Sequence, residues 1–316
     1  MFKDIFRLIS ENETIVIARH KAPDLDAYGS QFGLYYALKE TFPTKAIYAI
    51  GDTNHLNRFR EMDTVDKVTL AKALLIILDT SVRQMMDGDF FEGAKIVVIM
   101  DHHQNDSDIK NSIFYRDTEI SSTSELVATF LLANGVKISK QAAFPLFSGI
   151  VGDTGRFLFS TKPETFRIAA LLTETGISLS SIYNAMYTES LQMKKTKIDY
   201  LSDFRISENG VGYRRNDQDF LERNNLSSQT ASRGLIGQLS GIREIPIWAN
   251  FTYDTDTRKI LCELRSREIP IVDIAKKYGG GGHLLACGCS VASWEETKLI
   301  VADLDKLLEE KQWTNN

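Results

Sequence analysis

The chain has 316 residues and a formal net charge of −5, with 37 Lys and Arg set against 42 Asp and Glu. That balance excludes a grip on long duplex nucleic acid through a basic stripe, because neutralising many phosphates takes clustered cations. Three cysteines, Cys262, Cys287 and Cys289, are too few for a disulfide framework at this length and read as structural thiols.

The opening residues, MFKDIFRLISENE, mix charge into an apolar pattern, which predicts a short amphipathic helix and not a secretory signal. No apolar run approaches a membrane span, so the expected setting is the cytoplasm, with no membrane partner. Thr14–Ala18, Ala73–Leu78 and Lys95–Met100 are short β-branched runs without strict alternation, the pattern of strands buried on both faces of a parallel sheet. Helices are predicted over Gly29–Thr41, over Glu164–Glu174, and from a Ser122-x-x-Glu125 capping box to a C-cap at Gly135. This alternation implies an α/β domain with a parallel sheet over residues 1–185. A polar helical connector, residues 186–204, carries Lys194, Lys195 and Lys197 on a solvated face. It leads to a smaller α+β domain, residues 205–316. There Phe204–Ser207 and Val211–Arg214 read as one hairpin, and Trp248–Tyr253 and Lys259–Arg265 as another. A last helix opens at the Ser293-x-x-Glu296 capping box and buries Ile300, Val301, Leu304, Leu307 and Leu308.

The chemistry lies in where the His and Asp residues fall. His20, Asp24 and Asp26 follow the first run, Asp79 ends the second, and Asp101, His102 and His103 end the third. Asp153, in G-D-T-G, follows the apolar stretch Phe144–Val151, taken as a fourth strand end. Ligands of open parallel sheets bind beyond the carboxyl ends of the strands, so these residues are expected to converge in one crevice. Carboxylates crowded there repel one another unless cations relieve them. A mixed oxygen and nitrogen set without thiolate suits Mn²⁺, with Mg²⁺ as the harder alternative. Two such ions clamp a phosphoryl group and supply local positive charge, which reconciles an acidic chain with an anionic substrate. In the second domain, Arg265, Ser266 and Arg267 precede the run Gly279-Gly280-Gly281-Gly282-His283 between a short helix, Val272–Lys277, and a strand, Cys287–Val291. Glycines let backbone N–H groups approach an anion and arginine forks bind phosphate, so this half reads as a terminal-phosphate clamp. Arg156 is weighed between a phosphate contact and a structural salt bridge.

These ordered motifs, His20-x-x-x-Asp24-x-Asp26, Asp79, Asp101-His102-His103 and Asp153, resemble those of the DHH phosphoesterases. The Arg265-Ser266-Arg267 and GGGGH segments resemble the substrate-binding domain that accompanies them, and the pair together is similar to the nanoRNase and pAp-phosphatase branch. The resemblance implies two divalent ions, one held by His20, Asp24 and Asp79 and the other by Asp26, Asp79, His102 and Asp153. It implies that Asp101 orients a histidine and that His103 faces the scissile phosphate as a hydrogen-bond donor or as a proton donor to the leaving oxygen. Arg265, Ser266, Arg267, Gly281, Gly282 and His283 would bind the substrate's far end across a cleft between the domains. The implied substrates are oligoribonucleotides of a few residues, cut to 5′-mononucleotides, and 3′-phosphoadenosine 5′-phosphate. The rivals are a cyclic di-AMP or linear dinucleotide phosphodiesterase and a nucleotide-binding regulator without turnover. The sequence leaves a homodimer open.

Overall fold

The computed structural model describes residues 1–86 and 92–311. It divides into two compact units, Met1–Thr188 and Glu189–Asn316.

The first unit is built on a parallel sheet of β1 (Thr14–Arg19), β2 (Ala46–Ala49), β3 (Leu74–Leu78), β4 (Ile96–Asp101) and β5 (Ser112–Arg116), in the order β2-β1-β3-β4-β5. Its helices are α1 (Phe2–Glu11), α2 (Leu25–Thr41), α3 (Lys67–Leu70), α4 (Thr123–Ala133), α5 (Lys140–Asp153), α6 (Pro163–Glu174) and α7 (Leu179–Tyr187). Every residue of β3 is buried. One set of strand side chains, Ile15, Ile17, Leu74 and Ile76, joins the core under the helices, and the other, Val16, Ala18, Leu75 and Ile77, fills a second cluster. Burial on both faces explains why these strands read as continuous apolar runs. The strands β2 and β5 give no such signal. β2 alternates buried and half-buried residues, and β5 has no fully buried residue at all.

Helices α2 and α5 cross where glycine meets glycine. A Cβ on Gly29 would stand 2.9 Å from the Gly149 Cα and 2.7 Å from the Pro145 carbonyl oxygen. This contact brings the C-terminal half of α5, which ends at Asp153, against the first turn of α2, which holds Asp26. Phe144–Val151 therefore lies inside a helix and not in a fourth strand. The misreading has a physical source, since a helix buried on nearly all sides shows no amphipathic period.

The second unit holds α8 (Leu191–Ser202), α9 (Gln218–Asn224), α10 (Ser228–Leu235), α11 (Val272–Lys277) and α12 (Trp294–Glu310). Its sheet contains β6 (Arg205–Ile206), β7 (Val211–Asn216), β8 (Ile247–Asp254), β9 (Lys259–Ser266), β10 (Gly281–Gly282) and β11 (Ala286–Val291), ordered β10-β11-β9-β8-β7-β6. Only β7 and β8 pair in parallel. Both expected hairpins form, and Ser293 and Glu296 cap α12 reciprocally. The first expected capping box shifts by one residue. Ser122 does accept from the Glu125 N–H, but the Glu125 carboxylate accepts from the Ser121 N–H and hydroxyl. Lys194 and Lys197 both pair with Glu189, so two of the three connector lysines serve a local ion cluster. Among the described residues, no helix is long and apolar enough to cross a membrane.

Candidate active site

Strand register assembles the first unit's acidic centre. Arg19 pairs with Leu78 and Leu78 with Met100, so His20, Asp79 and Asp101 stand in one row past three adjacent strands. Asp79 takes a left-handed backbone conformation (φ 63°), which aspartate tolerates better than a branched residue. Asp24 is the N-cap of α2, its Oδ1 accepting from the Asp26 and Ala27 N–H groups. Asp26 points into the unit and is buried. Its carboxylate accepts from the Thr123 N–H at 2.7 Å and the Ser124 N–H at 2.8 Å. Those are the first N–H groups of α4, unpaired within the helix and at its positive end, so they suit an anion. The Thr123 hydroxyl donates to Asp79 Oδ1 at 2.9 Å. Thr123 and Ser124 are the residues that sequence reasoning missed. The S-S-T-S-E segment signals a helix start but not the distant carboxylates it holds.

The acidic and imidazole groups form three clusters: His20, Asp24 and Asp79; Asp26, His102 and Asp153; and Asp79, His102 and His103. His20 Nε2 lies 3.4 Å from Asp79 Oδ2 and 3.9 Å from Asp24 Oδ1. His102 Nε2 lies 3.4 Å from Asp153 Oδ2, 3.7 Å from Asp79 Oδ1 and 4.0 Å from Asp26 Oδ2. These separations exceed hydrogen-bond length. They fit pairs of ligands around one ion, each held at about 2.0–2.2 Å. His20 Nδ1 sits 2.8 Å from the Lys21 carbonyl oxygen, so it carries the proton and leaves Nε2 free to ligate.

Charge supports the fit. Burial, then the carboxylates of Asp26, Asp24, Asp153 and Asp101, raise the Asp79 carboxyl well above its ordinary range. Burial also raises Asp26, against the opposing pull of His102. Asp153 is pushed up to about 8 by burial and by Asp26 and Asp24. Crowded carboxyls held this way are relieved by divalent cations, and an oxygen and nitrogen donor set suits Mn²⁺ or Mg²⁺.

Asp101 and His103 form a separate pair. Their Oδ1 and Nδ1 atoms are 2.8 Å apart, and this hydrogen bond raises the His103 imidazole above its ordinary pKa. Burial pushes the Asp101 carboxyl up, but the bond and charge of His103 outweigh it and hold that carboxyl below its usual range. The half-exposed imidazole is thus held in place by Asp101, with its protonated form favoured. Arg156 lies in a turn where Gly155, Arg156 and Phe157 are consecutively left-handed, a strain of about 1–2 kcal/mol for each non-glycine residue. Its guanidinium stacks 4.8 Å over the Tyr187 ring.

In the second unit, Arg265, Gly281, Gly282 and His283 line a cavity of about 790 Å³ with Arg233 of α10. Arg265 donates to Glu263 and to the Leu264 carbonyl, with its side chain still partly exposed. Ser266 and Arg267 are not among the lining residues. The buried Ser266 hydroxyl accepts from the Ile269 N–H, and the Arg267 guanidinium donates to the Ile242 and Ile245 carbonyls. The glycines also have an internal reason. A Cβ on Gly280 would meet the Gly288 carbonyl oxygen at 2.1 Å, whereas Gly281 faces open space. Close packing of the run against β11 thus needs a glycine at 280, apart from any ligand.

The DHH family, N-terminal domain, matches residues 14–150, and the DHHA1 domain matches residues 222–310. The chain belongs to the DHH family. It is 38% identical over 320 residues to the bifunctional oligoribonuclease and PAP phosphatase NrnA of Bacillus subtilis (strain 168), covering 99% of this chain and 100% of that protein. It is 33% identical over 309 residues to a probable bifunctional oligoribonuclease and PAP phosphatase NrnA of Streptococcus mutans, covering 97% and 99% respectively. Among solved structures, an exopolyphosphatase-related protein from Bacteroides fragilis superposes with a TM-score of 0.85 at 25% identity, over 98% of this chain and 97% of that one.

Proposed function

We propose that this chain is a cytoplasmic metal-dependent phosphoesterase that cuts short oligoribonucleotides to 5′-mononucleotides and dephosphorylates 3′-phosphoadenosine 5′-phosphate. The observation that carries this reading is the pairing of acidic clusters about Asp79. One oxygen of its carboxylate faces His20 and the other faces His102, at 3.4 and 3.7 Å, as a carboxylate shared between two ions would. His20, Asp24 and Asp79 would hold one Mn²⁺, and Asp26, Asp79, His102 and Asp153 the other. Such a pair, when bound, clamps the phosphoryl oxygens and lowers the pKa of the attacking water. His103, held by Asp101, gives its proton to the leaving oxygen. Arg265, with the backbone at Gly281 and Gly282 and the imidazole of His283, binds a distal phosphate of the substrate through charge-assisted bonds. The names borne by relatives of nearly equal length support this substrate class over cyclic dinucleotides.

The acidic chain offers no extended track for a polymer backbone, so selectivity for short ends follows. On 5′-labelled RNAs of graded length with Mn²⁺, the rate per end should be highest at roughly two to five residues and fall beyond. Faster degradation of a long single strand than of a dimer would overturn the short-substrate reading.

A further inference from the structure

The first unit contains a cavity of about 230 Å³ that none of the assigned chemistry uses. Its walls are mainly apolar, with Leu25, Phe59, Phe144 and Met186 beside Ser148 and Thr188, and the two phenyl rings lie 6.0 Å apart edge to face. Two basic side chains, His55 and Arg58, line it while remaining exposed. Among the described residues, neither makes a hydrogen bond or an ion pair, although most arginines of this unit are engaged. The cavity adjoins the acidic centre. Leu25 stands between Asp24 and Asp26, and its Cβ lies 2.9 Å from where a Cβ on Gly152, the neighbour of Asp153, would be.

We propose that this cavity takes the heterocyclic base of the nucleotide undergoing hydrolysis, with Arg58 at its mouth on the ribose or phosphate of that same nucleotide. The inference rests on the function proposed above and adds a base subsite to it. The size argues for a base alone, because pockets for larger ligands run to about 300–1,000 Å³. The lining argues for an aromatic ring, since every base has a π-face that phenyl groups accept without regard to sequence. An unpaired guanidinium beside an apolar slot suits a ligand that is flat at one end and anionic at the other. Because Leu25 is flanked by two of the carboxylates, a base seated against it belongs to the nucleotide next to the scissile phosphate.

Ala185, half-buried on α7, lines the cavity and gives a means of filling it. Ala185→Trp should raise KM for the dinucleotide pApA about tenfold and leave kcat/KM for the same dinucleotide lacking the base of the residue next to the scissile phosphate, which has no ring to seat there, within about twofold. Arg58→Gln, a change at an exposed side chain, should also raise KM for pApA about tenfold. Unchanged KM in both variants, or equal loss on both substrates in Ala185→Trp, overturns the proposal. A second measurement separates it from the catalytic reading. Adenosine binding to the chelated protein, followed by saturation-transfer NMR, should be lost in Ala185→Trp. If the parent hydrolyses neither substrate while that loss is seen, the function fails and the subsite stands. If adenosine binds parent and variant alike, the subsite is wrong whatever the catalysis.

Discussion

Replacing Asp79 by Asn is expected to lower kcat/KM on a short oligoribonucleotide by about three orders of magnitude or more, and to weaken Mn²⁺ binding at the same time. Each ion contributes several kcal/mol of charge stabilisation, at about 1.4 kcal/mol for each factor of ten, and Asp79 is the one carboxylate assigned to both. Asn is the informative replacement, because it tolerates the left-handed backbone at this position and can accept the Thr123 hydroxyl bond. Stability should move the other way. Burial and neighbouring carboxylates disfavour the Asp79 charge in the metal-free chain, a penalty that Asn does not carry. The chelated variant should therefore melt no lower than the chelated parent, which separates lost chemistry from lost fold. Turnover close to that of the parent would refute the shared ligand.

Replacing His103 by Ala should leave metal content unchanged and slow hydrolysis of RNA dimers by roughly 10²–10⁴-fold, the usual worth of a positioned proton donor. The leaving group provides the sharper test. A ribose hydroxylate needs a proton as its bond to phosphorus breaks, whereas p-nitrophenolate leaves without one. Bis(p-nitrophenyl) phosphate should therefore lose far less activity than the dimer. Asp101→Asn should follow the same pattern more weakly, because it removes the carboxylate that holds and charges His103. Equal losses on both leaving groups would assign His103 to binding and not to proton transfer.

Much of the acidic centre is legible in the sequence because the strands that carry it are buried on both faces. Their apolar runs end sharply, and His20, Asp79 and Asp101 mark the ends. Parallel register then does the rest. Asp153 is legible as a motif but not in its setting, since α5 is apolar on nearly every side and its period is hidden. Thr123 and Ser124 are invisible as carboxylate holders because their partner lies about a hundred residues away and their local pattern already has a sufficient meaning as a cap. In the second unit, residue type alone groups Arg265 with Arg267. β9 ends at Ser266, and beyond it Arg267 turns to the Ile242 and Ile245 carbonyls instead of the cavity. His55 and Arg58 carry no pattern at all, because the cavity they border is made by tertiary packing of a loop on three helices, α2, α5 and α7.

The central claim is tested most directly by following AMP from two substrates on chelated protein before and after metal is restored. With pApA and 3′-phosphoadenosine 5′-phosphate separately present, no AMP should form under chelation. Both substrates should yield AMP once Mn²⁺ is added. Undiminished AMP release in chelator would contradict the metal centre. Absence of release from either substrate at saturating Mn²⁺, in protein shown to bind the ion, would contradict the assigned activity.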